Sequence, residues 1–354
     1  MKNKIITFTF ISYILFFSIL HLILPDKEII NSERRTLANY PKLELTNKYI
    51  TKIDKYLLDH FPYRETFRSI KAKFNYNILN KLDNNDIYLK DNYIFKSNYP
   101  TNKESIANFL NKINKTKSLL NKENNIYLMA ISDKNYYLTD KNFLQIDYDY
   151  IYEELNKLNI TTIDIRNIMS LSDYYETDTH WKQENLDKVV KKMNTIMNFN
   201  YINYPYQENI FNSFYGVYYG ESAISREPEK LTYLTNNIIN NATVKYLENN
   251  NLTSVYNLDK LNSLDAYEVY LDGASSFIEI INPNTTTNKE LVIFRDSFAS
   301  SITPLLIPYY KKITLIDNRY INSNNYLKLI NFTNQDILFM YSTLIINNSN
   351  SLKG

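Results

Sequence analysis

The sequence predicts an α/β protein: a three-layer α/β/α domain on a parallel sheet, carried behind an N-terminal transmembrane helix. Three observations point there. Residues Ile5–Leu24 (IITFTFISYILFFSILHLIL) form a run without a charged side chain. From about Thr101, short apolar runs alternate with segments whose apolar residues recur every three or four positions. The 354 residues are 44% hydrophobic and show no internal repeat, which suits one large core with an appendage.

The apolar run has the length of a membrane span, since about 20 residues at 1.5 Å each cross the hydrocarbon layer. Lys2 and Lys4 precede it and favour a cytoplasmic N-terminus, which puts the rest of the chain outside. The flank LILPDKE lacks a small-residue cleavage site, so an uncleaved anchor is expected rather than a signal peptide. Expected boundaries are residues 1–25 for the anchor, 26–100 for a linker and helical arm, and 101–354 for the α/β domain.

The linker PDKEIINSERRTLANYPKLEL has two prolines and no helical period. Helical spacing begins at about Asn47 with Ile50, Ile53, Tyr56 and Leu57. It breaks at Pro62 and resumes with Phe67, Ile70 and Phe74. IYLKDNYIF (87–95) reads as two short strands around an Asp91–Asn92 turn. In the α/β region, Ile106, Phe109, Leu110 and Ile113 share a helix face. IYLMAIS (126–132) reads as a buried parallel strand, YIYEELNKLN as a helix and TTIDI (161–165) as a strand. Leu186, Val189, Val190, Met193, Ile196 and Met197 mark an amphipathic helix. Residues 198–289, rich in tyrosine, give no clear pattern. ELVIFRDS (290–297), KITLID (312–317) and DILFMYS (336–342) read as strands, with FASSITPLLIPYY helical between the first two. Such alternation argues for a parallel sheet covered on both faces.

Composition removes several functions. The net charge is +2 and no basic stripe runs along any element, so nucleic acid is not an expected partner. No cysteine is present, which excludes disulfides, thiolate metal sites and a cysteine nucleophile. Three histidines do not suggest a metal centre, and no cofactor is expected. The 33 tyrosines, with abundant Asn, Ile and Lys, read as genome bias rather than function.

Ligands of open α/β sheets bind at the carboxyl ends of strands. Ser297 ends a strand there, where a helix should begin, beside amides suited to an oxyanion. A serine nucleophile needs a base. His21 falls in the apolar run and His60 in the helical arm, which leaves His180. Asp178 precedes it by two residues in YYETDTHWKQEN and suits the role of orienting its ring. The plainer alternative is that Asp178 or Thr179 caps a helix and Ser297 caps the next.

SERRTLANYP, FPYRETF, DTHW, FYGVYYG (214–220), LVIFRDSFASSITPLL and IDNRY (316–320) occur in an order that resembles the DHHW family. The chain more distantly resembles the alginate O-acetyltransferases of the SGNH-hydrolase-like group. DTHW followed by a strand-borne RDSF is the discriminating pair. The resemblance implies a permuted SGNH-like α/β/α fold with Asp178, His180 and Ser297 as a triad. It also implies work outside the cytoplasm on acyl groups of a polysaccharide. Thr179 stands where the family signature has a second His, and the Gly-Asp-Ser block of ordinary SGNH esterases is missing from the first strand. Gly216 is a candidate oxyanion donor, and Arg295 and Arg319 are candidate supports of the site. Trp181, the only tryptophan, is a candidate for packing the base or for stacking on a sugar.

The expected protein is a single-pass, membrane-anchored, extracytoplasmic O-acyltransferase. It would acetylate a cell-surface polysaccharide through an acyl-serine. Its acyl donor would be supplied by a multi-pass membrane O-acyltransferase. A carbohydrate esterase with the same triad and a non-catalytic glycan-binding or assembly protein are the alternatives.

Overall fold

The computed structural model describes residues 2–30, 32–140 and 142–353. Two compact units divide the chain: residues 1–87 with 217–227, and residues 88–216 with 228–354.

In the first unit, Lys2–Ile23 is one helix in which no residue is buried. Helices Asn47–Asp59 and Arg64–Asn77 follow, separated by Pro62 and by Tyr63, whose φ of 58° turns the chain. The linker is less extended than its sequence suggests, because Ile29–Ile30 pairs antiparallel with Arg35–Thr36. Arg35 grips Asp59 through two hydrogen bonds of 2.9 and 2.6 Å, and Arg64 and Arg68 each reach Glu33 at 2.7 Å. Arg35 of SERR, Arg64 of FPYRE and Arg68 thus hold the arm together. Gly220 is a glycine for steric reasons: a Cβ there would lie 1.3 Å from the Ser32 carbonyl oxygen.

The second unit is built on eight strands: β1 (Asn125–Ile131), β2 (Thr161–Thr162), β3 (Thr243–Tyr246), β4 (Asn249–Thr253), β5 (Phe277–Ile281), β6 (Glu290–Arg295), β7 (Lys312–Ile316) and β8 (Asp336–Ser342). Their order across the sheet is β4-β3-β5-β7-β6-β8-β1-β2. The five strands from β7 to β2 run parallel. The remaining three add antiparallel. The sheet is therefore mixed and mainly parallel, where the sequence reading expected a parallel one. The antiparallel part comes from the tyrosine-rich middle that gave no pattern.

Side chains alternate across the sheet and feed two cores. Met129, Ile131, Ile293 and Met340 face a core completed by helices Asp187–Met197 and Ala299–Leu306. Leu128, Ala130, Phe294 and Phe339 face the opposite core, with helices Lys103–Lys117 and Tyr148–Asn156. This is a three-layer α/β/α arrangement, and it explains why the interiors of β1, β6 and β8 are apolar runs. β2 is shorter than the TTIDI run, ending at Thr162. At the turn between Ile87–Lys90 and Tyr93–Lys96, Asp91 and Asn92 both take positive φ, as a tight hairpin demands.

Candidate active site

Ser297 follows β6, near the middle of the sheet, at the carboxyl edge of the parallel strands. Asp296 fixes its position: one carboxylate oxygen accepts the Phe298 amide at 3.0 Å, the other the Ser342 amide at 2.7 Å. The end of β6 is thereby tied to the end of β8. The helix Ala299–Leu306 begins two residues beyond Ser297.

Asp178 and His180 lie in a loop rather than at the mouth of a helix. An antiparallel bridge between Tyr174 and Trp181 closes that loop, and the next α-helix starts only at Asp187. His180 Nε2 lies 2.8 Å from Ser297 Oγ, and Nδ1 lies 2.6 Å from Asp178 Oδ1. A carboxylate only accepts, so Nδ1 carries the proton. Nε2 then accepts from the serine hydroxyl. Asp178 and His180 are buried, while Ser297 is partly open to solvent. The Tyr267 ring lies flat on the imidazole, with centroids 3.9 Å apart and planes 9° apart.

Trp181 is fully buried and cannot stack on a sugar in this arrangement. Its indole N–H donates to the Phe298 carbonyl at 3.1 Å and to Ser301 Oγ at 2.9 Å. A buried indole N–H needs such partners. Here they tie the His180 segment to the helix behind Ser297, and Tyr267 OH reaches the same Ser301 hydroxyl at 2.8 Å.

Gly216 does not offer an oxyanion donor. Its amide donates to Thr177 Oγ1 at 2.8 Å. A Cβ on Gly216 would lie 2.2 Å from the Thr177 carbonyl carbon and 2.3 Å from the Asp178 nitrogen. The position needs glycine because backbone passes against backbone. Gly216→Ala should push the Thr177–Asp178 backbone aside and lower the turnover of an ester substrate on the order of tenfold or more, since small misplacements of a catalytic group carry large losses. Steady-state kinetics on folded protein checks this.

Arg295 is buried and donates to Ser300 Oγ at 2.6 Å, within the turn that presents Ser297. Burial pulls its pKa down, against the nearby Asp317 carboxylate. Arg319 grips Asp317 through hydrogen bonds of 2.9 and 2.6 Å. It forms an ion pair at the end of β7. His60 Nε2 faces the Ala38 carbonyl at 2.8 Å, in the arm.

Three residues that sequence reasoning passed over support the site. Lys134, just beyond β1, is 1% exposed. Its ammonium donates to the carbonyls of Tyr175 (3.0 Å), Glu176 (3.0 Å) and Asp178 (2.7 Å). Burial lowers its pKa to about 7, while the Asp178 and Glu229 carboxylates act to hold it up. Three carbonyls need three N–H donors, which the ammonium supplies. Glu229 accepts the amides of Glu176 (2.5 Å) and Thr177 (2.7 Å). Tyr267 is the third. Lys134 had one visible signal, its place at a strand end. Glu229 and Tyr267 had none.

No protein-family model matches the chain, and no curated protein does. Solved structures do match. A DHHW family protein from Eubacterium siraeum DSM 15702 superposes with a TM-score of 0.62 at 18% identity, covering 77% of this chain and 97% of the other. The chain has the fold of that protein. PatB1 of Bacillus cereus, with a sulfonyl adduct, gives a TM-score of 0.58 at 17% identity over 73% of this chain and 97% of its own. PatB1 without the adduct gives 0.55 at 18% identity, over 77% and 98%. The three-layer α/β/α architecture that the resemblance implied is therefore present, as the fold shared with these structures.

Proposed function

We propose that the chain is a serine O-acyltransferase in which Ser297 attacks an acyl donor, His180 takes the hydroxyl proton and Asp178 holds the imidazole. The observation that carries this reading is the unbroken line of hydrogen bonds from Asp178 through His180 to Ser297, at 2.6 and 2.8 Å. In the first half-reaction the Ser297 oxygen adds to the donor's carbonyl. The proton moves to Nε2 and then to the leaving oxygen, and an acyl-serine remains. In the second, His180 deprotonates a sugar hydroxyl that attacks the same carbonyl and releases Ser297. The turn behind the serine employs the amides of Phe298, Ala299 and Ser300. We assign the Ser297 amide as an oxyanion donor in place of Gly216.

The resemblance of the motifs to the DHHW family and the alginate O-acetyltransferases favours a polysaccharide acceptor. The exposed apolar helix Lys2–Ile23 favours a single-pass anchor with the catalytic unit outside the cell. Acetyl-CoA is a cytoplasmic donor, so an extracytoplasmic enzyme needs a multi-pass membrane O-acyltransferase to deliver its acyl groups.

The test is covalent. The full chain in detergent, treated with an aryl sulfonyl fluoride or an aryl acetate, should gain one sulfonyl or acetyl group on Ser297, read by peptide mass spectrometry. Labelling elsewhere, or none, rejects the nucleophile. Adding a glycan acceptor to the acetylated protein then separates transfer from hydrolysis. Acetate release alone, unchanged by any glycan, assigns the chain as an esterase.

A further inference from the structure

The helix Arg64–Asn77 is turned inside out for a water-soluble protein. Its buried positions are Ala72 and Asn75. Tyr63, Phe67, Ile70, Phe74 and Ile78, spaced three and four residues apart, form one stripe, and all five are exposed. Ile70 is 56% and Ile78 65% exposed. Leu79 and Leu82 extend the apolar surface, and Lys71, Lys73 and Lys81 are exposed beside it. An amphipathic helix ordinarily points such a stripe at a core.

This surface is continuous with the N-terminal helix. The Phe17 ring stacks on Phe61 (centroids 5.3 Å apart, planes 13° apart) and meets Phe67 at 5.8 Å. Nearer the end of the same helix, His21 meets Tyr56 at 5.7 Å. Phe17 lies six residues before Ile23, which is about 9 Å in from that end at 1.5 Å per residue. If Lys2–Ile23 spans the bilayer, Phe61 and Phe67 reach the boundary between headgroups and acyl chains, at the depth where interfacial helices seat their apolar faces.

We propose that the helical arm is a second membrane-binding element, with the stripe Phe67–Ile70–Phe74–Ile78 laid into the outer leaflet of an anionic bilayer. This rests on reading Lys2–Ile23 as the anchor. The occupant is lipid because the stripe joins a helix that itself has no buried residue. Lysines on an exposed apolar helix also suit anionic headgroups. The arm would then fix the orientation of its unit on the membrane, which a lone span with a flexible linker does not do.

The chain has no cysteine, so single-cysteine spin labels can be placed without background. The full-length variants Ile70→Cys, Phe74→Cys, Lys73→Cys and Phe10→Cys are reconstituted in vesicles of equal phosphatidylcholine and phosphatidylglycerol. Collision with oxygen, which concentrates in lipid, is compared with collision with a water-soluble nickel chelate. The expected result is lipid exposure at Phe10, Ile70 and Phe74, with a several-fold higher oxygen-to-nickel ratio than at Lys73. Lipid exposure at Phe10 with aqueous exposure at Ile70 and Phe74 overturns the inference and leaves the anchor intact. Aqueous exposure at Phe10 overturns the anchor and the inference together. Labels at Ile70 and Phe74 shielded from both reagents also overturn it, in favour of a protein partner such as a second copy of the chain.

Discussion

Ser297→Ala protein should fold normally and lose acyl transfer by on the order of 10⁴-fold or more, because the hydroxyl on His180 Nε2 is that of Ser297. The serine is partly exposed and makes one hydrogen bond to His180, so its loss costs about 1 kcal/mol of stability. His180→Ala should fall to a similar level. The double variant should be scarcely worse than either single one, because a nucleophile without its base and a base without its nucleophile are equally idle. Single-turnover release of a chromophore from an aryl acetate measures all three. Urea unfolding of the same samples separates chemistry from folding. Full activity in folded Ser297→Ala protein would reject the catalytic reading and leave glycan binding or assembly as the better account.

Lys134→Met should be the most destabilising single change near the site. Methionine fills a similar volume but supplies no donor, so the carbonyls of Tyr175, Glu176 and Asp178 lose their shared partner inside the protein. The buried Asp178 carboxylate and the half-buried Glu229 also lose a compensating charge. A loss of about 1–3 kcal/mol is expected from leaving buried carbonyls without their donor. Activity should fall with it, even under conditions where the protein stays folded, because the Asp178 carbonyl is one of the three. Urea unfolding gives the stability. Turnover at low temperature, with folding checked by circular dichroism, gives the second effect. Unchanged turnover in a folded sample would show that the loop keeps its shape without the lysine.

Much of the scaffold was legible because the strands that position the site are buried on both faces. ELVIFR, DILFMYS and NIYLMAI each read as one apolar run, and their order with the intervening helices was enough to place Ser297 at a strand end. The middle of the chain hid its strands for the opposite reason. TVKY, the edge pair it forms with Asn249–Thr253, and FIEII with its central Glu279 belong to the antiparallel margin, where one face is polar and tyrosine is everywhere. Asp178, His180 and Ser297 stood out because only three histidines compete and two lie in apolar or arm segments. Lys134, Glu229 and Tyr267 did not stand out. Their roles come from burial and chain closure, which no spacing records, and they are common residue types here. The oxyanion expectation for Gly216 failed on a related point. Scarcity of glycine signals a backbone constraint, but the constraint was close passage against Thr177 and not an open amide.

One consequence follows from the pairing of β1. It bonds to β8 on one side, across more than two hundred residues of sequence, and to the two-residue β2 on the other. Ser297 follows β6, which bonds to β7 and β8. Every parallel neighbour that locks the nucleophile in place is therefore synthesised after it, while Asp178 and His180, two residues apart, can meet early. Such long loops close late, because their entropy must be lost before their contacts form. A chain that emerges from its N-terminal end has made Asp178 and His180 only about half-way through its synthesis. On the proposed mechanism, Ser297 is held in place only when the last strand arrives, so the strand order sets when the site is complete.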